Sequence, residues 1–243
     1  VTVSHSPQHP LEPQLPHDYW QRLVAGDDAP PPPYHRSYPA RLPDGRVLFL
    51  PLRVLPGGGD RAVASLIVNQ ASFAVEDALA DAMTAAVRPL APEVVIGVPT
   101  LGLPLAAAVA RRLGHPRLVA LGTSRKFWYR DDLSEPLASI TTPSGSGASK
   151  RIYLDPRMLP LLAGRRVVVV DDVVSTGSSL AAVLRLLAGV DIQPVAVAVA
   201  MRQTRRWETA LAPFLAAPAA QVLGVLDTPL FRADADGRWL PVP

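Results

Sequence analysis

Four consecutive valines, Val167–Val170, constrain this chain more than any other feature. Side chains alternate between the two faces of a strand, so a run with no polar member leaves neither face to water. Such a strand belongs in a sheet covered on both sides. Further strands read at Glu93–Val98, Arg117–Gly122, Pro194–Met201 and Gln221–Asp227. Segments of helical period stand between them. Ser72 precedes a helix that carries Phe73, Leu79, Met83 and Val87 and ends near Arg88-Pro89, and other helices are expected at Leu105–Leu113, Ser179–Leu187 and around Arg206–Leu215. Strand and helix in alternation imply a doubly wound parallel sheet, an α/β fold. Open sheets of this kind bind ligands beyond the carboxyl ends of their strands. The loops after Val98, Gly122 and Val170 are therefore where chemistry is expected.

Composition narrows the function classes. The 243 residues (25.9 kDa) make one sizeable domain, or one with an appendage, and 49% hydrophobic with 19% charged residues excludes disorder for the bulk of the chain. There is no cysteine, which excludes disulfide scaffolds, zinc–cysteine sites and thiol catalysis and fits a reducing cytosol. A net charge of +3 is too small to point to nucleic acid. The uncharged stretch Val94–Ala110 is shorter than the roughly 20 apolar residues of a membrane span, and Gly97, Pro99, Gly102 and Pro104 interrupt it. The first residues lack a basic start followed by an apolar run, so no secretory signal is read there. A soluble, cytoplasmic protein with no membrane partner is expected.

Proline divides the chain. Of the 27 prolines, 12 precede residue 60, including Pro30–Pro33. Residues 1–45 read as a Pro-rich arm, extended as far as residue 33 apart from a short helix near Tyr19–Leu23. Arg46–Leu55 and Ala62–Val68 read as two strands joined by the turn at 56–60. The core is expected to run over 46–228, with 229–243 as a C-terminal segment.

The stretch VVVVDDVVSTGSSL, Val167 to Leu180, carries the functional argument. Asp171 and Asp172 stand at the end of the apolar run. Ser175, Thr176, Gly177, Ser178 and Ser179 then lead into a helix. Amide groups at a helix N-terminus, with hydroxyls and a glycine that permits close approach, form a cradle for an anion such as a phosphate monoester. Two carboxylates just before it suit the neighbouring hydroxyls of a ribose and help organise a magnesium ion. A phosphate and a diol on one ligand describe a ribose 5-phosphate. Neither a GxxxxGK[ST] loop nor a GxGxxG turn occurs.

VVVVDDVVSTGSS resembles the phosphoribosyl pyrophosphate signature of the type I phosphoribosyltransferases, and the resemblance extends from about Glu93 to Val225. It implies a type I fold with a small hood subdomain built from residues before 75 and after 228. It also implies transfer of ribose 5-phosphate from phosphoribosyl pyrophosphate to a nucleobase, with release of pyrophosphate and with Mg2+ as cofactor. Within that pattern Thr100, Leu101 and Gly102 bind pyrophosphate, and Asp171 and Asp172 bind the ribose hydroxyls and the metal through the substrate. Ser175–Ser179 take the 5-phosphate. Arg125 and Lys126 form a basic pair, and a lid from Tyr129 to Arg151 brings Lys150 and Arg151 to the leaving group. The catalytic cations are then Arg125, Lys126 and Lys150. SITTPSGSGASKRIYLD and LLAGRRVVVVDD resemble the purine members, adenine and xanthine enzymes and the purine-repressor branch. The family implies a homodimer.

An alternative on the same fold is a non-catalytic sensor of phosphoribosyl pyrophosphate. The regulators of that branch carry an N-terminal DNA-binding domain, for which residues 1–45 are too proline-rich and insufficiently basic. A synthase-like sugar-phosphate activity lacks a visible ATP site. Phe127, Trp128 and Tyr129 suit stacking on a base, anchoring of the lid or a dimer contact, and Glu135 is a candidate proton-transfer group. The chain's only two lysines, Lys126 and Lys150, bracket the lid, and each adjoins an arginine. A compact ammonium at those places differs from a planar guanidinium fork.

Overall fold

The computed structural model describes residues 10–57, 59–137, 150–217 and 221–242. In chain order the elements are β1 (Ser37–Arg41), β2 (Val47–Val54), β3 (Arg61–Ala64), α1 (Phe73–Val87), β4 (Val94–Gly97), α2 (Gly102–Arg112) and β5 (Val119–Ala120). These are followed by β6 (Ser134–Pro136), β7 (Arg151–Tyr153), α3 (Leu159–Leu162), β8 (Val167–Val174), α4 (Ser178–Ala188) and β9 (Ala196–Gln203). The chain closes with α5 (Trp207–Leu211), β10 (Val222–Thr228), β11 (Leu230–Ala233) and β12 (Trp239–Val242).

A parallel sheet in the order β10-β9-β8-β4-β5 forms the centre of the molecule. In β8 the valines alternate as a doubly covered strand requires. Val168 and Val170 join the core beneath α1 and α2, and Val167 and Val169 join the core beneath α3, α4 and α5. All four are fully buried. Each contributes roughly 1.5–3 kcal/mol relative to an exposed side chain, so the run holds both layers onto the sheet. β4 sits in register beside it, with Val94 opposite Val167 and Gly97 opposite Val170. The helix after Ser72 is as expected, and the Ser72 hydroxyl accepts the Val75 amide as its cap.

A second sheet is antiparallel, in the order β1-β2-β3-β11-β12. It brings the two ends of the described chain together, and β11 follows β10 after Pro229 alone. One of its strands lies inside the segment that reads as an arm. Ser37–Arg41 pairs with β2, with Pro39 opposite Phe49. Proline hides such a strand from pattern reading, yet an edge strand tolerates it because one side of its backbone needs no partner. The residues before it are packed rather than loose. Tyr19 and Trp20 are buried, and Val24 exchanges both backbone hydrogen bonds with Val47 at 2.9 and 3.0 Å. The short helix expected at Tyr19–Leu23 is instead a single 3-10 turn at Pro16–Asp18, followed by Trp20 at a positive φ of 63°. Among the described residues no helix is long and apolar enough to cross a membrane.

Gly177 ties α4 to α5. It lies at φ +81°, and a Cβ there would stand 3.1 Å from the Trp207 Cα and carbonyl oxygen and from the Ala210 Cβ. Both the dihedral and the packing exclude a side chain. Gly177→Ala is expected to lower stability by about 1–3 kcal/mol, read as a shift of the urea midpoint at constant slope. An unchanged midpoint would mean that α5 yields without cost.

Candidate active site

The site is assembled at the carboxyl edge of β4 and β8. β8 does not stop at the acid pair. It runs on to Val174, so Asp171 and Asp172 lie within the ladder, where Asp171 faces Val199 of β9. The reason is that Val173 and Val174 continue the apolar pattern and pair with Met201 and Arg202. Asp171 is buried and Asp172 half-buried, and the Asp172 amide donates to Asp171 Oδ1 at 2.9 Å. Burial pushes the Asp171 carboxyl well up, with the charge of Asp172 adding to it, and burial also pushes Asp172 up. A cation or a pair of hydroxyl donors arriving here therefore restores solvation that the fold has removed.

The loop after β4 closes onto this pair. The Val98 amide donates to the Val170 carbonyl at 3.0 Å, which extends the β4–β8 ladder to the mouth of the loop. Thr100 and Leu101 follow, and Gly102 opens α2 against the acid itself. A Cβ at Gly102 would come within 2.8 Å of both the Cα and Oδ1 of Asp171. This glycine is required for close approach, since its φ is not positive. Gly102 is thus brought to Asp171, with Thr100 and Leu101 immediately before it in the chain.

The cradle follows β8. The Ala181 amide makes a helical hydrogen bond to the Gly177 carbonyl at 2.8 Å. The amides of Ser178, Ser179 and Leu180 precede it in the first turn and have no acceptor inside the helix. Thr176 Oγ1 and Ser178 Oγ lie 3.1 Å apart beside them. Ser175 is turned elsewhere: its hydroxyl donates to Gln203 Oε1 at 2.6 Å, and Gln203 Nε2 donates to the Ala64 carbonyl of β3 at 2.6 Å. Of the five expected cradle residues, the Ser175 side chain joins β8 to β9 and to the antiparallel sheet. Gln203 is a site-forming residue that sequence reasoning missed, because a lone glutamine after an apolar strand carries no pattern.

The expected cations are less tightly gathered. Arg125 pairs with Asp131 at 3.0 Å, both exposed, and Lys126 is exposed and makes no ion pair among the described residues. Lys150 stands at the stem of the long loop, its carbonyl accepting the Leu137 amide at 2.7 Å. Residues 138–149, including the Ser-Gly-Ser-Gly stretch at 144–147, lie outside the described residues. Arg151 does not reach toward the cradle. Its guanidinium donates to the Ser134 hydroxyl at 2.9 and 3.0 Å and to the Ser134 carbonyl at 3.0 Å, across the β6–β7 pair. Glu135 is likewise engaged, with Arg185 of α4 at 3.3 Å.

The aromatic triplet anchors the stem. Trp128 Nε1 donates to Asp155 Oδ2 at 3.3 Å, Arg157 lies over the Trp128 ring at 4.7 Å, and Tyr129 packs on Tyr153. Hydrogen bonds from Arg157 hold the Asp155 carboxyl down at about 2. Phe127 is almost fully exposed. Among the described residues no group of three or more histidines or carboxylates converges as a metal site.

The phosphoribosyl transferase domain family matches residues 68–220. The adenine phosphoribosyltransferase of Giardia lamblia, solved with 9-deazaadenine, is 19% identical with a TM-score of 0.51, over 63% of this chain and 80% of that one. The orotate phosphoribosyltransferase of Aeropyrum pernix is 22% identical with a TM-score of 0.48, over 72% and 85%. A curated relative, the transcriptional regulator GfcR of Methanosarcina mazei, is 35% identical over 107 residues, 44% of each chain. The chain thus spans under half the length of that relative. The family match covers the acid pair, the close-approach loop and the cradle together, and this chain belongs to the phosphoribosyl transferase domain family, with the type I α/β fold.

Proposed function

We propose that this protein transfers ribose 5-phosphate from phosphoribosyl pyrophosphate to a purine base and releases pyrophosphate. The observation that carries the reading is the apposition of Gly102 to Asp171, at the same sheet edge as the first-turn amides of α4, which have no acceptor inside the helix. In this reading the amides of Ser178, Ser179 and Leu180 hold the 5-phosphate with the hydroxyls of Thr176 and Ser178. Asp171 and Asp172 accept hydrogen bonds from the ribose 2- and 3-hydroxyls. Thr100, Leu101 and Gly102 present backbone to the pyrophosphate.

The bond to pyrophosphate breaks as the base nitrogen approaches the anomeric carbon, and the leaving group gains negative charge as it departs. Cations set against it stabilise the transition state more than the ground state. Arg125, Lys126 and Lys150 serve there, and exclusion of water keeps the sugar cation from hydrolysis. The acid pair suits a magnesium ion that reaches the site with its substrate. Two desolvated carboxylates without a third ligand among the described residues suit an ion that substrate phosphate oxygens would complete. Held by Asp171 and Asp172, such an ion would supply positive charge against the departing pyrophosphate. Arg151 is assigned to the stem rather than to the pyrophosphate, since Ser134 occupies its guanidinium.

The name of the Methanosarcina relative favours a second reading, a regulator that binds phosphoribosyl pyrophosphate without turning it over. Pyrophosphate release with phosphoribosyl pyrophosphate, magnesium and a panel of bases separates the two. Turnover with adenine, xanthine, hypoxanthine or guanine is expected. Calorimetric binding without turnover on any base would favour the regulator, and neither binding nor turnover from folded protein would remove both.

Asp171→Asn carries two expectations of opposite sign. Because the folded-state carboxyl is raised, its charge opposes folding once pH exceeds the unfolded value near 3.9. The amide is therefore expected to raise stability at pH 7, with the gain fading as pH falls below the unfolded value near 3.9. The double variant Asp171→Asn/Asp172→Asn is expected to lose phosphoribosyl pyrophosphate use. Normal turnover in it would show that the pair has been misassigned.

Lys126→Arg and Lys150→Arg keep the charge and change its shape. Each is expected to lower kcat at least tenfold with little change in the fold. Unchanged kcat in both would return the two lysines to chance.

A further inference from the structure

A cleft of about 860 Å³ opens where the ends of β9 and β10 meet α5 and one face of the antiparallel sheet. Arg61, Leu230 and Val242 form its sheet wall, and they alternate along their strands with residues turned inward, Ala62 and Phe231 among them, both fully buried. No residue of Thr100–Gly102, Asp171–Asp172 or Ser175–Ser179 lines it. The cleft is thus separate from the acid pair and the cradle.

Its polar groups are unevenly satisfied. Thr228 is only 4% exposed, and its hydroxyl has no hydrogen-bond partner although the residue lines the cleft. A buried hydroxyl left unpaired is costly and uncommon in native structures. Two of the arginines here are neutralised: Arg202 by Asp227 in a two-pronged pair at 2.6 and 2.7 Å, and Arg205 by Glu208 at 2.8 and 3.2 Å. Arg61 and Arg206 have no carboxylate partner among the described residues, and the Arg206 Nε makes only a 3.4 Å contact with the Thr204 hydroxyl. The remaining wall is apolar, with Leu55, Pro229 and Leu230.

We propose that this cleft is a second ligand site, for a small organic anion. Its planar or aliphatic body packs on Leu55 and Leu230, its carboxylate, sulfonate or phosphate meets Arg61 and Arg206, and the Thr228 hydroxyl completes the hydrogen bonding. Guanidinium groups without internal carboxylates are suited to this, since they bind such anions through paired N–H donors. The site bears on the cradle through the residues on either side of Thr204–Arg206. Gln203 holds Ser175, and the Trp207 backbone packs on Gly177 while Trp207 also lines the cleft. Linkage requires that any effect on phosphoribosyl pyrophosphate affinity be matched by an equal effect in reverse.

The test uses the full chain and 8-anilinonaphthalene-1-sulfonate as probe, an apolar ring system carrying one anionic group, titrated by fluorescence. One saturable equivalent is expected in the unmodified protein. Affinity is expected to fall at least tenfold in Arg61→Gln/Arg206→Gln and at least threefold in Thr228→Val. The valine is nearly isosteric and removes an unsatisfied hydroxyl, so that variant folds at least as well, which a thermal scan checks. Equal affinity in all three proteins would put the probe elsewhere and overturn the site. At saturating phosphoribosyl pyrophosphate the probe is expected to remain bound, with its affinity shifted at least threefold. Strict competition would merge the cleft with the cradle and overturn a separate site, and an unshifted affinity would overturn the coupling. The variant comparison needs no phosphoribosyl pyrophosphate, so a chain that fails to bind that compound still tests the cleft.

Discussion

Burial of β8 on both faces is the constraint on which the rest of the structure depends. Its four valines feed alternately into two cores, so removing either helical layer would expose half of the strand. The same burial explains the chemistry at its end. Asp171 continues a strand with no solvent on either side, and its carboxyl is raised because the fold has already desolvated it. An acid in such a place is a cost to folding and a ready acceptor for hydroxyls or for an ion that arrives with phosphate. In the proposed function, stability and ligand binding pull in opposite directions at this one residue.

Two glycines serve this strand for different reasons. Gly102 has to lack a side chain because the chain passes within contact distance of Asp171, and Gly177 because it turns at positive φ against Trp207. The first brings the β4 loop to the acid, and the second sets the angle at which α4 offers its amides. Ser175 and Gln203 then bolt this edge to β3, so the antiparallel sheet is fixed to the site by hydrogen bonds of 2.6 Å as well as by apolar packing.

Much of the fold was legible because it is local. Apolar runs marked β4, β8, β9 and β10 to within a few residues, and Ser72 marked the start of α1. β1 was hidden, since a strand rich in proline shows no alternation and is recognisable only once β2 lies beside it. The acid pair and the cradle were legible because their order along the chain reproduces their order in space. The basic residues were not. Whether Arg151 faces a ligand or Ser134 depends on the pairing of β6 with β7. In the same way the Arg125–Asp131 pair forms in a turn that no periodicity marks.

The sequence by itself determined the doubly wound sheet, the strand that carries two carboxylates, and the helix that starts just after it. These follow from short-range patterns of burial and capping, which act within a few residues. Only the tertiary structure decided that Gly102 rests on Asp171, that Ser175 belongs to Gln203, and that Arg61 and Arg206, without a carboxylate partner among the described residues, line the same cleft as the buried Thr228. Each of these joins residues far apart in the chain. Their proximity arises from how β-strands of two sheets are stacked and registered, which no local spacing encodes.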